Sequence, residues 1–206
     1  VPCYARDPLH QAYQAGQLYA RGITGKGTTI ALILPQLSTG IGADLAVFDR
    51  HYRLPPARLQ VTGWHHAPPE PATVPGVAGW DQEAALDLEM AHYMAPGARL
   101  LLVRITPSRG PYETGELRTA MTALGTLARP ERIDVASFSW GEYEADLAAS
   151  GGYHQLATIR PGLQKAVAAG VSVIAGSGDS GTTGPSPAGH GYYRFRTVPW
   201  PTSDPL

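Results

Sequence analysis

Cysteine is almost missing from this sequence. Cys3 is the only one in 206 residues, which excludes an intrachain disulfide and a cysteine-based zinc site. The compartment stays open on that ground, because a secreted domain with a large enough core holds without disulfides. Lysine is nearly as scarce: Lys26 and Lys165 stand against fourteen arginines. The net charge is −1, so no electrostatic argument favours nucleic acid or an acidic membrane as a partner. No run of 18 apolar residues occurs, and no segment reads as a membrane span. The opening VPCYARDP has no signal-peptide pattern, which is compatible with a mature form whose leader has been removed but does not establish one.

Two nucleotide and hydrolase signatures are also missing. GITGKGTT (22–29) has the letters of a phosphate loop, but it lacks the G-x-x-x-x-G-K-[ST] spacing and precedes a strand instead of opening a helix. No serine sits in a G-x-S-x-G elbow, which excludes an α/β-hydrolase. There is no internal repeat.

What is abundant is glycine and proline, 24 and 19 residues, the mark of many loops around a regular frame. A chain of this length suits one domain and buries a real core. Helical spacing runs through Leu9, Ala12, Tyr13 and Gly16–Tyr19, stopped by the glycines of 22–27. TTIALIL (28–34) has strand length, and GADLAVFDRHY (42–52) is helical. RLQVTG (58–63) reads as a strand, and 65–79, rich in Pro and Gly, as a loop. Helix 81–97 is stopped by Pro96-Gly97. A strand at 98–105, a helix at 112–128, a strand at 133–139, a helix at 154–170 broken near Pro161, and a strand at 171–176 follow. Continuous apolar strands alternating with helices predict an α/β fold with a mostly parallel sheet covered on both faces.

Two features carry chemistry. AGSGDSG (175–181) contains the Gly-Asp-Ser-Gly that surrounds the nucleophile of trypsin-like proteases. Those are all-β double barrels with a histidine in an Ala-Ala-His-Cys setting, and this chain has neither. Here the motif follows a parallel strand, at the end where α/β folds place their ligand groups. The second feature is Glu83 and Asp87, spaced i, i+4 on one face of a helix that is apolar nearly all round. Two acids on one turn repel each other and lose solvation on burial, so they are either a solvated surface turn or a site. The helix N-terminus favours their negative charge. His92, on the same helix, reads as a structural histidine, and Glu89 points away from the acid pair.

E83-AAL-D87 followed by AHYMAPGA, then SFSWG (137–141) and AGSGDSG (175–181), together resemble the sedolisins, the serine-carboxyl peptidases. DPLHQAYQAGQLYARGITGKGTTIALI and DLAVFDRHYRLPPARLQV are similar to the first part of their catalytic domain, so the resemblance spans nearly the whole chain. It implies a subtilisin-like three-layer fold in which glutamate and aspartate replace the histidine and aspartate of subtilisin. Glu83 then matches the general base, Asp87 the acid that orients it, and Asp179 the aspartate of the oxyanion hole. Ser139, Trp140, Gly141, Ser177 and Gly178 match the substrate cleft, with Trp140 beside the acids. An aspartate donates to an oxyanion only when protonated, and a carboxylate base titrates near pH 4, so the resemblance implies acid-acting endopeptidase chemistry on polypeptides. Asp179, not Ser180, is then the reactive member of the GDSG run.

Two departures from that pattern matter. The family nucleophile lies in Gly-Thr-Ser, and this chain has Gly27-Thr28-Thr29 and Gly181-Thr182-Thr183 but no Gly-Thr-Ser. Residues 1–206 are therefore expected to be one domain's N-terminal part, its C-terminal remainder supplying the serine and the family's calcium site, with no cofactor in this segment. Leu34 replaces a glutamate that some members carry behind the acid pair. The resemblance also implies secretion. A non-catalytic, sedolisin-like binding or regulatory protein is the alternative; the retention of Glu83, Asp87 and Asp179 together argues against it.

Overall fold

Each apolar run becomes a strand, and the order in which the strands assemble decides where a site can lie. The computed structural model describes residues 6–35, 40–64, 77–105, 114–149, 153–186 and 191–206. Five strands form the main sheet: β1 (Thr29–Pro35), β2 (Arg58–Gly63), β3 (Arg99–Ile105), β4 (Val135–Phe138) and β6 (Ser172–Ala175). Their order is β2-β3-β1-β4-β6, and every neighbouring pair is parallel. This is the expected parallel α/β sheet. The chain builds first to one side of β1 and then to the other, so the carboxyl ends of the central strands flank the point where strand order reverses.

The centre is the driest part. Ala31–Leu34 on β1 and Leu100–Val103 with Ile105 on β3 are at most 2% exposed, because strands covered on both faces need no polar alternation. Both edges of the sheet differ. β2 is mostly exposed, and on β6 Ser172 and Ile174 are open to solvent, Ile174 to 59%.

Helices flank the sheet. α3 (Ile41–Tyr52) packs on α4 (Val77–Met94), and α5 (Thr114–Leu127) on α7 (Leu156–Ala168). α4 begins four residues before the expected start at Asp81 and ends as expected at the turn before Gly97. The break expected near Pro161 is not there: α7 runs through it. A helix-interior proline costs about 3 kcal/mol, and close packing on α5 offsets it. Gly125 and Gly162 have no room for a Cβ, Gly125 against the Gly162 backbone and Gly162 against the Met121 carbonyl, while Ile159, Leu163 and Ala166 bury their side chains.

The first helix is two. α1 (Arg6–Ala12) and α2 (Ala15–Ala20) are separated at Gln14, whose φ of 54° is left-handed, a conformation that a helix cannot continue through. Tyr13, which spacing placed on the apolar face, is 72% exposed. A short antiparallel ribbon was not expected: β5 (Glu142–Tyr143) pairs with β7 (Pro199–Trp200), and α6 (Glu144–Ala149) follows β5 directly. The loop read at 65–79 lies outside the described residues except for Val77–Gly79, which open α4. Among the described residues no helix is long and apolar enough to cross a membrane.

Candidate active site

The site is built from the carboxyl ends of β4 and β6. After Phe138 the chain leaves the sheet, and the Gly176 amide still donates to the Phe138 carbonyl at 2.9 Å. The two strand exits, Ser139–Gly141 and Gly176–Ser180, therefore start side by side. Trp140 turns inward. Its indole N–H donates to the Ile33 carbonyl at 2.7 Å, and its ring meets Trp80 of α4 edge-on at 6.1 Å. This anchor ties the first exit to both β1 and α4. Gly141 lies under the Trp200 carbonyl with no space for a side chain, which lets the β5–β7 ribbon close one wall.

The second exit bends at Gly178, whose φ of +88° excludes most side chains, and the Tyr143 hydroxyl fills the space a Cβ would take. That bend presents Asp179, exposed, to a cleft of about 680 Å³. Glu83 and Leu86 of α4 line the same cleft, together with Ser139, Trp140, Gly141 and Gly178–Ser180. Tyr143, Tyr192, Pro185 and Pro199 complete it. Glu83 and Asp179, 96 residues apart, thus border one cleft. Among the described residues its charged groups are those two carboxylates.

Asp87 sits behind this surface, not on it. The Ser139 hydroxyl donates to its Oδ1 at 2.7 Å, and its Oδ2 is buried without a hydrogen-bond partner among the described residues. Burial pushes its carboxyl up to about 6; the Ser139 hydrogen bond opposes that shift, and the charge of Glu83 adds to it. The acid pair is therefore coupled through charge, and among the described residues no hydrogen bond joins Asp87 to Glu83. Ser139 touches both the cleft and Asp87. Ser177 is exposed on the loop and does not line the cleft. Ser180 does line it, and among the described residues no histidine does.

The other face of α4 holds a separate polar group. His92 is fully buried; its Nε2 lies 2.8 Å from the Pro55 carbonyl and 3.4 Å from Asp49 Oδ1. Asp49 Oδ2 accepts from the Ala57 amide at 3.0 Å. Glu89, half-buried, is raised above the usual carboxylate range by burial and then by Asp44 and Asp49. His92 is structural in its contacts, as its place on the helix suggested. Leu34 is fully buried on β1, in register with Arg104. Among the described residues, no three His, Cys, Asp or Glu side chains form a metal cage. Leu86, Tyr143 and Tyr192 were not marked as site residues by the sequence. Tyr143, two residues after Ser139-Trp140-Gly141, was the most accessible of the three to such a reading.

With this geometry in place, known proteins give a consistent answer. No family model matches the chain. Kumamolisin from Bacillus sp. (strain MN-32) is 30% identical over 181 residues, covering 87% of this chain and 30% of that protein. Among solved structures, Pseudomonas sedolisin, a serine-carboxyl proteinase complexed with two molecules of pseudo-iodotyrostatin, superposes with a TM-score of 0.68 at 23% identity. That match covers 88% of this chain and 47% of the other. The chain belongs to the sedolisin family. It spans less than a third of the curated relative and about half of the solved sedolisin chain. The sedolisin-like fold, with its five-stranded parallel sheet flanked by helices, and the serine peptidase family follow from these matches.

Proposed function

We propose that the chain is the acid-bearing part of a serine-carboxyl endopeptidase that hydrolyses polypeptides at acid pH. The observation that carries this reading is the shared cleft: Glu83 from α4 and Asp179 from the β6 exit face one space, with Asp87 one turn behind Glu83. Glu83 takes the proton of an incoming serine hydroxyl, Asp87 orients Glu83, and Asp179, when protonated, donates to the oxyanion of the tetrahedral intermediate. The scissile peptide lies along Ser139–Gly141 and Gly178, with Trp140 as the rigid floor. The serine itself, in Gly-Thr-Ser, comes from a portion outside these 206 residues, as do the ligands of the family's calcium. That portion also completes the domain, and without it residues 1–206 are inactive. Secretion is consistent with work at acid pH.

Asp87 offers a chemical reason for acid operation. A carboxyl near 6 is protonated at pH 4–5, and it then presents a hydrogen-bond donor to an ionised Glu83. Two carboxylates one turn apart share a proton more readily than they hold two charges. The test is hydrolysis of unfolded protein by the intact natural protein that carries these residues, from pH 2 to 8. An optimum well below neutrality is expected, with loss of roughly 10³-fold in kcat for Glu83→Gln and an unchanged circular dichroism spectrum. Peak activity at pH 7 to 8, or an active Glu83→Gln variant, rejects the reading. A well-folded wild type that binds peptides without cleaving them supports the non-catalytic alternative.

A further inference from the structure

We propose that Ser139 is the positioning residue of the acid pair: its hydroxyl occupies Oδ1 of Asp87, so the proton of the pair resides on Oδ2 and is available to Glu83. This deepens the functional reading above and rests on it. The geometry has three parts. Ser139 Oγ donates to Oδ1 at 2.7 Å, Oδ2 is buried and has no partner among the described residues, and the Ser139 backbone is held where it is. The last point follows from the flanking contacts, Gly176 N–H to the Phe138 carbonyl on one side and the Trp140 indole to Ile33 on the other. A serine at a loose strand exit would follow its carboxylate; here the carboxylate must follow the serine.

The chemistry is one of choosing an oxygen. A carboxyl group with two equivalent oxygens places its proton on either one, and only one placement serves a neighbour one helical turn away. An O–H donor fixed on Oδ1 leaves that oxygen as the acceptor and directs protonation to Oδ2. The charged group that acts on Asp87 is Glu83, on its own helix; among the described residues the elements packed against α4 add no other charge to it, and β4 brings it Ser139. A cleft serine conserving only a substrate contact would have no reason to spend its donor on a carboxylate behind the wall.

The test reads Asp87 itself, in the intact natural protein without substrate, by carbon-detected carboxyl titration with Asp87→Asn identifying the signal. Ser139→Ala is expected to move the Asp87 titration to higher pH, because a hydrogen bond to the charged form is lost. It should lower kcat about tenfold, in line with one charge-assisted hydrogen bond, with KM changed less. Ser139→Thr, which keeps the hydroxyl, should restore both. An Asp87 titration that does not move in Ser139→Ala overturns the proposal, as does a change confined to KM. If Ser139→Ala fails to fold, Ser139→Cys, a weaker donor, takes its place with the same two outcomes. An active Glu83→Gln variant together with a shifted Asp87 titration would reject the peptidase mechanism and leave the positioning role standing.

Discussion

Helix α4 carries two buried polar groups on different faces, and they are built differently. On one face Asp87 keeps an unpartnered oxygen, lies behind Ser139, and stands next to a second acid that opens onto a cleft. On the other, His92 and Asp49 lie 3.4 Å apart and tie to the Pro55 carbonyl and the Ala57 amide with almost no exposure, and His92 Nδ1 and Asp49 Oδ1 also lack a hydrogen-bond partner among the described residues. The second group ties the Asp49–Ala57 turn to α4, so its polarity serves the backbone it anchors. The first anchors no backbone group. Acids kept half out of water with a single hydrogen-bond partner cost stability, and such a cost is tolerated where chemistry needs it.

The comparison is broken most directly by substituting on each face in turn. His92→Ala removes the partner of a buried carboxylate and a buried carbonyl, and should destabilise by roughly 2–4 kcal/mol while leaving kcat per folded molecule unchanged. Thermal unfolding beside active-site titration separates the two. Asp87→Asn should do the reverse: kcat of the intact protein falls roughly 10²-fold, with unfolding near pH 7 unchanged or shifted upward. Equal effects of both variants on stability and rate would erase the distinction.

The pH dependence of stability sharpens it further. The Asp87 carboxyl titrates near 6 in the fold and near 4 in an unfolded chain, so the folded state holds its proton more tightly. Its contribution is fully present below pH 4 and is lost as pH rises through about 6. Discounted for partial solvent screening, the loss is roughly 1–2 kcal/mol, and it should vanish in Asp87→Asn when chemical denaturation is compared at pH 4 and pH 7. The smallest effect is expected from Glu89, raised in the same direction but more exposed. Glu89→Gln should stabilise the protein at pH 7 by a few tenths of a kcal/mol, with no change in kcat.

How far the sequence could be read depended on whether one segment or several decided the outcome. β1 and β3 are continuous apolar runs, and burial on both faces is the only fate open to them, so they stood where expected. The acid pair was visible for the same reason: a spacing of four within one helix is local. Gln14 was invisible, because a left-handed residue between two helical turns leaves no mark when it is not glycine or asparagine. The β5–β7 ribbon was invisible too. Glu142 and Tyr143 have no alternation to show over two residues, and their partners lie near the end of the chain. That Ser139 serves Asp87 depends on β4 ending beside α4, a distance that no spacing in the sequence encodes.

That ribbon has a consequence for how the cleft behaves over time. It joins Glu142 to Trp200, 58 positions apart, through only two residue pairs, whereas β1 holds β3 through seven. Closing a long loop costs entropy that two pairs barely repay, so what holds the ribbon is the burial of Trp200 and the Glu144 amide donating to the Val198 carbonyl at 3.0 Å. The wall of the cleft is thus a clasp and the sheet behind it a frame. The clasp is held by its anchor: Trp200, only 2% exposed, would have to leave the core before that wall could open.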